Sequence, residues 1–132
     1  MKYMLDTDTC IYLIRKKSES ALEKVKEAIY DGITISSITL AELEHGVNKS
    51  GNPERNADAL SQMLITIEVL PFDSAAASEY GLLRTALENT GSVIGPMDML
   101  IAAHAKSKNL TIVTNNTSEF ERVEGLTVEN WV

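Results

Sequence analysis

Lys2-Tyr3-Met4-Leu5-Asp6-Thr7-Asp8-Thr9 is the stretch that decides the fold. Lys2 to Leu5 is a short apolar run and reads as a buried strand, which the chain leaves through Asp6-Thr7-Asp8-Thr9. Asp8 or Thr9 is expected to cap the helix that follows, Cys10 to Lys16. The same alternation continues downstream. Ile33-Thr34-Ile35-Ser36, Ile67-Glu68-Val69-Leu70 and Leu110-Thr111-Ile112-Val113-Thr114 are short strand-like runs, and Leu126-Thr127-Val128 adds an edge strand. Between them lie helical stretches. Ser20 opens one with Leu22, Val25, Ala28 and Ile29 at helical spacing, and Ser37 or Thr39 caps another that reaches Asn48. Glu54 to Leu64 is helical, Asp73 caps a long helix that stops at Asn89-Thr90-Gly91, and Gly95-Pro96 starts one over Met97 to Ser107. Asn115 to Glu119 reads as a polar loop.

Strands alternating with helices, and strands that are continuously apolar, predict an α/β fold. The expected form is a central, mostly parallel sheet of four to five strands flanked by helices, in one domain over residues 1–132. In such sheets the site lies beyond the carboxyl ends of the strands. That rule selects Asp6 to Asp8, Ser36-Ser37, Phe72-Asp73 and Thr114 to Glu119.

Composition narrows the function. Twelve basic against nineteen acidic residues leave a net charge of −7, with a pI near 4.8, which argues against gripping nucleic acid by bulk charge. Short basic clusters remain, Arg15-Lys16-Lys17 and then Lys106 and Lys108. A single cysteine, Cys10, excludes an internal disulfide framework and a cysteine-based zinc cage, and reads as a small buried hydrophobe. The amino-terminal apolar stretch is too short for a signal peptide and no run is long enough to cross a bilayer, so a cytoplasmic protein is expected. His45 and His104 have no partner at ligand spacing and read as surface or packing residues.

The carboxylates carry the chemistry. Asp6 and Asp8 close the first strand, where two charges about 4 Å apart repel by about 4 kcal/mol at an effective dielectric of 20. A divalent cation relieves such repulsion, and oxygen-only ligands favour Mg²⁺ or Mn²⁺. Of the two, Asp8 looks more like a helix cap or a supporting group than Asp6 does. Glu42 sits about one turn into the helix after the second strand, beside the apolar Ile38, Leu40, Ala41 and Leu43. Asp98 stands in the first turn after Gly95-Pro96, and Ile101, Ala102 and Ala105 on its side of the helix should aim it at the sheet end. Each residue alone has an ordinary reading as a cap or a surface group. Together with the polar turn Thr114 to Glu119 they converge on one end of one sheet.

Met4-Leu5-Asp6-Thr7-Asp8, Ser37-Ile38-Thr39-Leu40-Ala41-Glu42-Leu43, Gly95-Pro96-Met97-Asp98 with Ile101-Ala102, and Val113-Thr114-Asn115-Asn116 with Glu119-Phe120 resemble the PIN-domain ribonucleases. More narrowly they resemble the VapC toxins of type II toxin–antitoxin modules, over essentially the whole chain. The resemblance implies metal-dependent hydrolysis of RNA, typically at a tRNA anticodon loop. It maps Asp6, Glu42 and Asp98 onto the family's acidic site residues, with Asp6 and Asp98 as ligands of Mg²⁺ (or Mn²⁺). Asn116 matches the fourth site position, and Thr7, Asp8, Thr114 and Glu119 support the site. Arg15, Lys16 and Lys106 are the candidate contacts for substrate phosphates. The implied partners are a VapB-type antitoxin, which lies over the toxin, an RNA substrate and a second copy of the chain. Ile11, Tyr12, Leu13 and Ile14 offer apolar surface to the antitoxin. Two departures stand out: Asp8 occupies a place more often Asn, and Asn116 is neutral.

Two other classes fit parts of the sequence. Asp6-Thr7-Asp8-Thr9-Cys10 nearly matches the strand end of haloacid-dehalogenase-like phosphatases, with Asp6 as nucleophile and Asp8 as acid/base. Cys10 stands where that motif expects Thr or Val, and no acidic pair of the expected kind follows. A non-catalytic interaction domain with a PIN-like shell is the other, and the surviving acids argue against it.

Overall fold

The structure is a computed structural model that describes residues 1–132. Five strands, β1 (Tyr3–Leu5), β2 (Ile33–Ser36), β3 (Glu68–Leu70), β4 (Thr111–Val113) and β5 (Val128–Glu129), form one sheet in the order β3-β2-β1-β4-β5. Every pairing is parallel. The helices are α1 (Thr7–Arg15), α2 (Glu19–Ala28), α3 (Ser37–Lys49), α4 (Pro53–Met63), α5 (Ser74–Asn89), α6 (Pro96–Ser107) and the short α7 (Thr117–Phe120). None of them is long and apolar enough to cross a membrane.

Two hydrophobic cores sandwich the sheet, and the period-two alternation of a strand assigns residues to each. Tyr3 and Leu5 face one core with Ile33, Ile35 and Val113, packed against Leu13, Ala21, Ala28, Leu43 and Leu60 of α1 to α4. Met4 and Ile112 face the other core, packed against Leu83 and Leu87 of α5, Met99 to Ala105 of α6, and Phe120. Helices on both faces explain why β1 and β2 are buried at every position, the polar Thr34 and Ser36 included. At the sheet's amino end Gly32 adopts φ +90°, and a Cβ there would lie 2.9 Å from the Met1 backbone. Only glycine lets the chain pass this close, and the Gly32 carbonyl accepts from the amides of both Lys2 and Tyr3.

The strand order positions the site. β1 is central: the chain steps outward from it to β2 and β3, then returns to place β4 on its other side. The carboxyl ends of β1 and β4 therefore flank a topological switch point, where such sheets open a crevice.

Several local expectations are revised. Asp6, not Asp8 or Thr9, caps α1, its Oδ1 accepting from the Thr9 amide at 2.9 Å. Thr9 is instead buried, with its hydroxyl on the Val113 carbonyl. Ser36, not Ser37 or Thr39, caps α3, and Ser37 accepts from the Phe72 amide. Ser18 caps α2, which begins at Glu19 ahead of Ser20. Residues 117–120 form a helical turn where a loop was expected. Asp73 does cap α5, and the chain turns at Gly91 with φ +66°.

Candidate active site

Asp6 is held from both sides at the switch point. Its Oδ1 caps α1 and its Oδ2 accepts from the Thr114 hydroxyl at 2.5 Å, across the junction of β1 and β4. The side chain is only 3% exposed. Burial pushes its carboxyl above the usual value, and the bonds from Thr114 and Thr9 pull it back. The amino end of α1 adds a favourable dipole for the anion. With both oxygens engaged by fixed donors, Asp6 is a pinned carboxylate rather than a free nucleophile.

Thr7, in the first turn of α1, donates to Glu42 Oε1 at 2.5 Å and so ties α3 to α1. Asp98 lies half-buried in the first turn of α6, as Pro96 at the helix start fixes the entry angle. Its carboxyl is pushed up to about 7, first by burial, then by a hydrogen bond with Glu119, and then by the negative charges of Glu119, Asp6 and Glu42. Glu119 is itself held by the Asn116 side-chain amide at 2.6 Å, and the Asn116 backbone amide donates to the Thr114 hydroxyl at 2.9 Å. Thr114 thereby links Asp6 to the turn that carries Glu119.

Asp6, Thr7, Asp8, Glu42, Gly95 and Asp98 line one open cleft, with Asp8 exposed at its edge. Beside it runs a groove lined by Ile11, Ile14, Arg15, Glu42, Leu43 and Val47. Arg15 thus lies next to Glu42, and Lys16, the left-handed cap residue of α1, lies further along with Arg55 and Asn56. Lys106 is elsewhere. It stands near the carboxyl end of α6, about 12 Å along the helix from Asp98, and pairs with Glu79 at 3.2 Å. Its expected contact is with substrate phosphates outside the acidic cleft, and it lies in a different hollow from Arg15 and Lys16. The Asp73–Lys108 pair also lies outside the cleft.

Cys10 is fully buried and its thiol is pushed well up, so it is no nucleophile. His45 is exposed, whereas His104 is fully buried and its Nδ1 lies 2.7 Å from Ser36 Oγ. Sequence reasoning gave His104 no role. The signal available was one polar residue inside the small apolar run Ile101-Ala102-Ala103-His104-Ala105.

The donor set fits a hard divalent cation. All of its groups are oxygens, and no histidine or thiol faces the cleft. As the side chains stand, no three of them close on a common point at chelating distance. The raised Asp98 carboxyl reflects its burial first and then the negative charge of its neighbours, the part a cation would relieve.

A parallel sheet with an acidic crevice at the β1/β4 switch point defines a PIN domain. The PIN-domain family matches residues 3–126, and the chain belongs to that family. Its relatives narrow the kinship to the VapC ribonucleases. It is 46% identical to the tRNA(fMet)-specific endonuclease VapC of Shigella flexneri over 132 residues, 99% of this chain and 98% of that one. It is 46% identical to ribonuclease VapC2 of Rickettsia felis with the same coverage. Among solved structures it superimposes on a chain of Rickettsia felis VapBC2, bound to a promoter DNA fragment, with TM-score 0.96 and 44% identity over 100% of both chains. It matches a chain of the DNA-bound VapBC of Salmonella typhimurium with TM-score 0.95 and 43% identity, covering 100% of this chain and 99% of that one. PIN-domain ribonucleases generally depend on a divalent metal.

Proposed function

We propose that this chain is the toxin of a type II toxin–antitoxin module: a Mg²⁺-dependent endoribonuclease that cuts RNA, with a tRNA anticodon loop as its target. Mn²⁺ is the alternative ion. The observation that carries the reading is the convergence of Asp6, Glu42 and Asp98 on one cleft, with Glu119 against Asp98 and the Asp98 carboxyl raised to about 7, first by burial and then by these acids.

Asp6 and Asp98 are the proposed metal ligands, and Glu42 and Asn116 complete the site. A bound Mg²⁺ supplies positive charge to the phosphoryl oxygens and acidifies water at neutral pH. The remaining work falls to the chain. Glu42 or Asp98 accepts the proton of the attacking water. Thr114 and Thr7 hold Asp6 and Glu42, and Asn116 holds Glu119, which limits how far the acids must move to take the metal. Asp8 adds charge at the cleft edge. Arg15 and Lys16 receive phosphates flanking the cut. A looped RNA suits an open cleft because its backbone is already splayed.

A VapB-type antitoxin is the proposed protein partner, with a segment lying in the groove of Ile11, Ile14, Leu43 and Val47 that opens beside Glu42. Blocking Glu42 from this side would silence the site. We further take residues 1–132 as one domain, acting in the cytoplasm as a homodimer. The test is expression of the wild type and Asp6→Asn, followed by mapping of new RNA ends. The wild type should arrest growth and produce one dominant cut, and the variant neither. In vitro, chelator should abolish cleavage and Mg²⁺ or Mn²⁺ restore it. Equal toxicity of the two proteins, or full activity in excess chelator, overturns the reading.

A further inference from the structure

His104 is 0% exposed and sits on the helix that carries Asp98. Its Nδ1 lies 2.7 Å from the hydroxyl of Ser36, the residue that ends β2 and caps the helix carrying Glu42. Ser36 Oγ already accepts from the Ile38 amide at 3.1 Å, as a cap must. The hydroxyl keeps a proton and a second lone pair, so it pairs with His104 Nδ1 as donor or as acceptor according to the imidazole tautomer. The ring's Nε2 is buried with no partner. The ring is also wedged edge-on against Phe72, at 5.5 Å and 79°.

Packing alone does not account for this arrangement. A leucine would fill the volume without leaving a buried ring nitrogen unpaired, which is unfavourable. What an imidazole adds is one directed bond between two helices. Asp98 stands six residues before His104, and Glu42 six residues after Ser36. The bond therefore ties the two acid-bearing helices together about 9 Å along each from its acid. Those acids repel each other, and a fixed crossing of α3 on α6 is what keeps them facing one cleft.

The geometry points to His104 as a positioning residue: through Ser36 it sets the placement of Glu42 relative to Asp98, and so the affinity of the cleft for a divalent cation. The inference rests on the nuclease reading above for its kinetic arm and on the acidic cleft alone for its binding arm.

The test uses the full chain and four variants, His104→Leu, His104→Asn, His104→Gln and Ser36→Ala, with the double variant of Ser36→Ala and His104→Leu. Asn places an amide that can donate or accept near the Nδ1 position, whereas Gln reaches towards Nε2. Mn²⁺ affinity is measured by calorimetry on metal-stripped protein, and RNA cleavage well below each melting temperature. His104→Leu should weaken Mn²⁺ binding and lower kcat about tenfold each, with KM for RNA unchanged. His104→Asn should recover most of both, and His104→Gln should not. The double variant should be no worse than the worse single, since both remove one bond. Unchanged Mn²⁺ affinity in His104→Leu, with only a lower melting temperature, overturns the inference. Should His104→Leu not fold, equal behaviour of the Asn and Gln variants overturns it instead. A wild type that binds Mn²⁺ but cuts no RNA sinks the nuclease reading and leaves the positioning role to be judged on affinity. A wild type that binds no Mn²⁺ sinks both.

Discussion

Replacing Thr114 with valine removes a hydroxyl while keeping the shape of the side chain, and that hydroxyl makes two bonds. It donates to Asp6 Oδ2 at 2.5 Å and accepts from the Asn116 amide at 2.9 Å. A hydrogen bond to a charged, buried carboxylate contributes about 1.5–3 kcal/mol, and an amide left without its acceptor costs about 1 kcal/mol. Thr114→Val should therefore lower unfolding stability by about 3 kcal/mol, seen as a fall in melting temperature of about 10 °C. No cavity term enters, because valine fills the same space. Function should suffer for a separate reason. The Thr114 bond is the strongest influence opposing the upward push of burial on Asp6, so its loss leaves Asp6 harder to ionise. Metal affinity should then fall about 10–100-fold at neutral pH. Urea unfolding gives the first quantity, and Mn²⁺ calorimetry with RNA cleavage gives the second. Thr114→Ser keeps the hydroxyl and should retain most of both. A loss below about 0.5 kcal/mol, with metal affinity intact, would refute the argument that this bond organises the site.

Five further outcomes are expected. Without divalent cation, folded Asp98 holds its proton between pH 3.8 and about 7 where the unfolded chain has released it, so its contribution makes stability fall as pH rises through that window. Asp98→Asn should remove this falling component from melting curves taken across pH, and added Mg²⁺ should flatten it. His104 acts with the opposite sign, since burial lowers its pKa below 6.5, and its contribution is present above pH 6.5 and lost as pH falls below it. Phe120→Ala empties a fully buried position next to Glu119 and should cost about 3–5 kcal/mol by chemical denaturation, with cleavage reduced even where the protein remains folded. Lys106→Ala breaks only a partly exposed pair and should leave cleavage within about twofold, whereas Arg15→Ala should raise KM several-fold and reduce its salt dependence.

The strands were legible because helices cover both faces of the sheet, so Ile33 to Ser36 or Leu110 to Thr114 cannot be confused with a half-exposed element. The acids were legible as a set because each ends or follows an element whose direction was already fixed. Local ambiguity defeated the reading where tertiary contacts decide. Asp6, Asp8 and Thr9 all qualify chemically as caps, and the choice of Asp6 goes with its bond to Thr114, 108 residues away in sequence. His104 looks idle in sequence because its partner Ser36 is 68 residues away. Asn115 to Glu119 have turn chemistry, and the segment winds into α7 with Phe120 in the core and Glu119 held by Asn116.

The order in which the strands are used bears on how a cell makes this protein. The segment bearing Asp6 leaves the ribosome early, yet its partner Thr114 follows 108 residues later, about 5–20 s at ordinary translation speeds. Until then β1 lacks its β4 neighbour, and a nascent chain has no finished cutting edge. Cleavage therefore cannot precede the emergence of Thr114 and the pairing of β4 with β1, however early the acids of the first strand are made.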